Sequence, residues 1–170
     1  MSLTFVVGSA SDVFPAALAS AVEDALRGRV ASNGGDEPYR SEPVDATGWL
    51  KLQQRAALAI GGPSVPHLVN IDAYQAVYLP DGVTDVEHIP IANAADPLQI
   101  GSLTELLEEL RRFAASASLP TDDVELMQLG AHYLESDELF DADLDVQTYV
   151  QLMLSAKQAA ARRQPLWIVV

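Results

Sequence analysis

The chain of 170 residues is of a length that suits one domain, and its 49% apolar share is enough to build a core without staples. It has no cysteine, which excludes a disulfide framework, a thiol nucleophile and Cys-ligated zinc or iron–sulfur sites. A net charge of −14, from 24 acids against 10 bases, sets a field that repels nucleic acid and anionic lipid and favours basic partners and cations.

Residues 3–7 read as a first strand, closed by Gly8. The first residues, 1–8, carry no basic leader, and no apolar run approaches the length of a membrane helix, so a soluble, cytoplasmic protein is expected. A polar turn at 8–12 leads to a helix near 13–27, with Asp12 as its cap and Pro15 in its first turn. In outline this is a strand–loop–helix of the phosphate-cradling kind, but it lacks G-x-G-x-x-G and Gly-Lys-Ser/Thr. Asp12 stands where a phosphate would sit, so a capping turn is the expectation.

Residues 31–47 show no periodicity and hold the turn formers Asn33, Gly34, Gly35, Pro38 and Pro43, which marks a long loop. A helix near 48–60 follows, capped by Thr47 and ended by Gly61-Gly62-Pro63. Residues 74–79 and 83–89 flank Pro80-Asp81-Gly82 and read as a central β-hairpin spanning 74–89. Tyr74 and Tyr78 would share one of its faces. Residues 98–100 add a short strand, with Pro90 and Pro97 marking edges or breaks.

The pattern Ser102-Leu103-Thr104-Glu105 is a capping box, and the helix behind it keeps apolar spacing from Leu103 to Ala117, with Glu108 and Arg112 as an i, i+4 pair. Thr121 would cap a helix near 122–135 that turns Val124, Met127, Ala131 and Leu134 inward. A last helix near 144–163 buries Val146, Tyr149, Val150, Met153 and Ala160, and residues 166–170 close the chain as an apolar strand. Together these elements predict a single α+β domain, residues 1–170, with about five helices packed on one sheet that contains both terminal strands and the hairpin.

Chemistry-bearing patterns are sparse. Asp141, Asp143 and Asp145 alternate like a calcium loop, but Val146 stands where the loop needs Gly, and Leu152 where it needs Glu. His67, His88 and His132 have no metal-ligand spacing, and Ser64 lies in a Pro-rich turn without a nucleophile elbow. No catalytic residue, cofactor or metal is therefore assigned.

The leading expectation is a non-enzymatic interaction domain, of antagonist, immunity-like or regulatory type, that docks a basic protein through Asp137, Glu138, Asp141 and Asp143. Nine acids and no Lys or Arg lie between 121 and 145. A small-molecule or enzymatic site near loop 31–47 and the turns at 8–11 and 61–67 is one alternative. A homo-oligomer paired through an exposed edge at 166–170 is the other.

Overall fold

A computed structural model describes residues 1–30, 36–135 and 143–170. Its seven strands are β1 (Ser2–Val7), β2 (Tyr39–Arg40), β3 (Val44–Asp45), β4 (Ala76–Leu79), β5 (Glu87–Ile89), β6 (Leu98–Ser102) and β7 (Leu166–Val169). They form one mixed sheet in the order β2-β1-β7-β4-β6-β5, with β3 also on β1. Among the described residues the six α-helices are α1 (Ala16–Ala25), α2 (Ala46–Ile60), α3 (Pro66–Val69), α4 (Leu103–Ala117), α5 (Asp123–Glu135) and α6 (Leu144–Arg162).

The alternation of side chains along each strand divides the core in two. Leu3, Phe5 and Val7 of β1, Tyr78 of β4 and Leu166 and Ile168 of β7 face α2 to α6. Val6, Val77, Leu79, Ile100 and Trp167 face the other way, toward Ala19 and Val22 of α1 and the following Leu26. The sheet is thus covered on both faces, which explains why β4 and β7 are apolar throughout and β1 nearly so. Both terminal strands lie side by side in the interior, antiparallel, with Phe5 opposite Ile168.

β7 is paired on both sides, by β1 and by β4, so the edge expected at 166–170 does not exist. One edge is formed by β2 and β3 and the other by β5, all short; Pro38 precedes β2 and Pro90 follows β5, which limits further pairing.

The hairpin at 74–89 does not form. β4 pairs in parallel with β6, and β5 pairs antiparallel with the opposite side of β6. β6 is buried throughout and lies between β4 and β5, whereas Glu87-His88-Ile89 has two polar residues of three and none fully buried, which suits the edge. Gly82 does take the left-handed conformation expected of it, φ +79°, but within a longer excursion over residues 80–86. Tyr74 lies outside β4 and is exposed, because Gln75 at φ +46° breaks the strand register; Tyr78 is fully buried.

The loop expected at 31–47 contains β2 and β3, which line one edge of β1. Between them Ser41 continues the edge: its N–H donates to the Phe5 carbonyl (2.9 Å), and its hydroxyl accepts the Phe5 N–H (3.0 Å). Residues 31–35 lie outside the described residues.

The caps also differ in detail. Asp45, not Thr47, caps α2 by accepting the Thr47 N–H (2.7 Å). Asp122, not Thr121, accepts N–H groups at the start of α5, from Val124 and Glu125. Ser102 caps α4 as expected, accepting the Glu105 N–H (3.2 Å). Glu108 pairs with Arg111 (2.7 Å), while Arg112 donates to the Ser64 carbonyl (2.8 Å).

Candidate functional site

α6 runs through the middle of the helical layer and is buried on almost every side. Its polar residues therefore need internal partners. Thr148 and Ser155 donate to the carbonyls of Leu144 (2.8 Å) and Gln151 (2.6 Å), four residues back. Gln151 accepts the Glu42 N–H (3.3 Å), and the buried Asp145 accepts from Arg55 of α2 (2.7 Å). Arg55 also lies 5.7 Å from the centroid of the Phe113 ring. Val146 is half-buried and Ala160 exposed, unlike the inward places expected of them.

α5 packs on α6 through Leu126 and Gly130, where a Cβ on Gly130 would stand 3.4 Å from Val150 Cγ1. The stripe expected to face inward, Val124, Met127, Ala131 and Leu134, faces out; Val124 is 58% exposed and Met127 and Leu134 each 56%. Two adjacent stripes of α5 are apolar, and the one that carries Leu126 and Gly130 is buried against α6. Exposed acids border this helix at Asp122, Asp123, Glu125 and Glu135.

Of the four residues expected to dock a partner, Asp137, Glu138 and Asp141 lie outside the described residues. Asp143 opens α6, half-buried. Burial and the charges of Asp143 and Asp145 push the Tyr133 hydroxyl upward.

A second polar cluster surrounds α3, and it escapes a reading by motif. The Glu109 carboxylate accepts the backbone N–H groups of His67 (3.0 Å) and Leu68 (2.7 Å). The Tyr78 hydroxyl donates to the His67 carbonyl (2.7 Å). His67 Nδ1 accepts the Ser102 N–H (2.9 Å), so Nε2 carries the proton donated to the Thr84 carbonyl (3.0 Å). Burial pushes Glu109 up to about 7 against the opposing pull of those two N–H groups, and burial beside Glu109 pushes the Tyr78 hydroxyl well up. The signal in the sequence is an acid at an inward position of α4, three residues after Leu106 and four before Phe113.

The cluster ties α3, α4, β4 and β6 together; both nitrogens of His67 are engaged, which suits a structural role better than proton transfer. His88 and His132 are exposed, on β5 and α5. Among the described residues no group of three His, Asp or Glu is arranged to hold a metal ion, and no helix is long and apolar enough to cross a membrane.

The turn at 8–12 is closed by its own acid. Asp12 Oδ2 accepts the Ser9 N–H and the Ser9 hydroxyl, each at 2.8 Å, so a carboxylate fills the place an anion would take. Asp12 thus closes the turn before α1, and Pro15, not Asp12, is the residue that precedes that helix. Arg40 of β2 donates to the Asp12 carbonyl (2.7 Å), which brings the 36–45 segment to this turn; the 61–67 turn packs against α4 instead.

A cleft of about 260 Å³ lies elsewhere, at the carboxyl ends of the parallel strands β4 and β6, lined by Pro80, Asp81, Thr104, Ala160 and Arg163 among others. No family model, curated protein or solved structure matches the chain.

Proposed function

We propose that the protein is a non-enzymatic interaction domain that docks a basic protein partner through the acids of the stretch 121–145, Asp137, Glu138, Asp141 and Asp143 among them. One observation carries this reading: the stretch 121–145 holds nine acids and no Lys or Arg, and the rest of the chain, with 15 acids against 10 bases, is itself net negative. Within it, Asp123 pairs with Lys157 and Asp145 with Arg55.

The other cations are mostly engaged elsewhere. Arg27, Arg29 and Arg111 pair with Asp24, Glu87 and Glu108, while Arg40, Arg112 and Arg162 donate to backbone carbonyls. A concentration of one sign steers a partner of the other sign and suppresses wrong ones more than it adds raw affinity. A cytoplasmic antagonist or regulator of a basic protein fits this charge distribution.

Partner capture tests the reading. The immobilised protein is exposed to lysate of its source organism at low and at high salt, and the retained proteins are identified by mass spectrometry. A basic protein retained at low salt and released at high salt supports the reading; retention of none at low salt removes it.

A second reading, a small-molecule site, rests on the cleft beside Arg163, whose guanidinium makes no ion pair among the described residues. At about 260 Å³ the cleft lies below the roughly 300–1,000 Å³ of most ligand pockets, which ranks this reading second. Chemical shifts of Thr104 and Arg163 that move with small carboxylates or phosphate would favour it.

A further inference from the structure

The exposed stripe of α5 goes beyond charge. Val124, Met127, Ala131 and Leu134 recur at intervals of three, four and three residues, the spacing of a seam that packs lengthwise against another helix. Solitary exposed apolar side chains are ordinary, but four aligned along one helix form a continuous patch. The helix is held from behind by Leu126 and Gly130 against α6, so the stripe sits on a rigid support.

The charges around the stripe select what covers it. Asp122 and Glu125 stand at one end of the helix and Glu135 at the other, all exposed. A second copy of this chain would set acids against acids in either orientation, at a cost in like-charge repulsion. A partner helix with Lys or Arg beside its apolar seam meets opposite charge at both ends.

We propose that the outer face of α5 is a docking site for an amphipathic, basic helix of a partner protein, seated on the stripe from Val124 to Leu134 and flanked by Asp122, Glu125 and Glu135. The proposal rests on the interaction reading above and deepens it by naming the surface and the kind of partner. Met127 and Leu134 supply the apolar anchors, and the acids fix register and raise the association rate.

The probe is a synthetic peptide of about 18 residues, long enough to hold a helix, with Leu at seam positions and Lys elsewhere; its control has the same composition in scrambled order. Titration into the labelled full chain is followed by amide and methyl chemical shifts, and repeated with Met127→Ser/Leu134→Ser and with Asp122→Asn/Glu125→Gln/Glu135→Gln.

The expected result is shifts confined to α5 and its surroundings, with affinity weakened about tenfold or more in the serine variant and a flatter salt dependence in the neutralised one. Equal binding of the scrambled peptide, or affinity unchanged by the serine substitutions, overturns the docking seam while leaving a purely electrostatic partner site standing. A clear fall in Tm for the serine variant with unchanged peptide affinity shows that this chain covers the stripe itself and also overturns it. So does a concentration-dependent dimer of the wild type that the serine variant abolishes. Failure of any basic protein or peptide to bind removes the interaction reading and this proposal together.

Discussion

Glu109 reaches from α4 to the start of α3 and accepts the His67 N–H at 3.0 Å, while its other oxygen takes the Leu68 N–H at 2.7 Å. A one-turn helix leaves its first N–H groups without internal partners, and a buried carboxylate satisfies two of them at once. The same His67 binds Ser102 and Thr84, so one residue pins α3 to β6 and to the segment before β5.

Replacing Glu109 by Gln should destabilise the fold by about 1–3 kcal/mol near pH 5, because one N–H would then face the amide NH₂. Glu109 is raised from its ordinary 4.5 to about 7 by burial, so it holds a proton in the folded chain that it loses in the unfolded one between those values. Its contribution is therefore complete below about pH 4.5 and is lost as pH rises through about 7, a change of about 3 kcal/mol. Denaturant unfolding should show the gap between wild type and the Gln variant narrowing from pH 5 to pH 8; an equal gap at both would contradict this account.

Glycines 48 and 130 should respond to alanine differently. A Cβ on Gly48 would run into Thr148 Oγ1 and the Leu144 carbonyl oxygen, where α2 and α6 come closest. Gly48→Ala should cost about 1–3 kcal/mol despite the better helix propensity. At Gly130 the new methyl meets Val150 and Gln151 at ordinary contact distances, 3.4 and 3.6 Å. Gly130→Ala should be neutral or stabilising by up to about 1 kcal/mol. Urea midpoints for both variants provide the check.

Arg55→Met should destabilise by about 2 kcal/mol, because the buried Asp145 then loses its counter-ion, and its second oxygen has no hydrogen-bond partner among the described residues. Adding Asp145→Asn should recover part of that loss. A double variant no better than the single one, measured by thermal unfolding, would show that the pair is not coupled.

Much of the fold is legible in the sequence because its signals are local. The spacing of Leu103, Leu106, Leu107, Leu110 and Phe113 defines α4 and its buried face, and Gly61 ends α2 with φ +101°. The apolar ends of the chain lie in one sheet, as their composition requires. What the sequence misplaces is decided by competition across the molecule. Pro80-Asp81-Gly82 is a good turn, but β6 has a stronger claim on the interior than β5, and the hairpin yields to it. Spacing alone does not choose between the two apolar stripes of α5; packing of the Leu126 and Gly130 side on α6 does. Glu109 hides in an otherwise apolar arc, where only its misfit with the pattern marks it.

The central claim is tested most directly by titration calorimetry of the captured basic partner against the wild type and against a variant with Asp137, Glu138, Asp141 and Asp143 changed to Lys. The account predicts affinity at least about tenfold weaker for the variant and a shallower dependence on salt, with folding unchanged by circular dichroism. Equal affinity and equal salt dependence for the two proteins would contradict an acidic docking side.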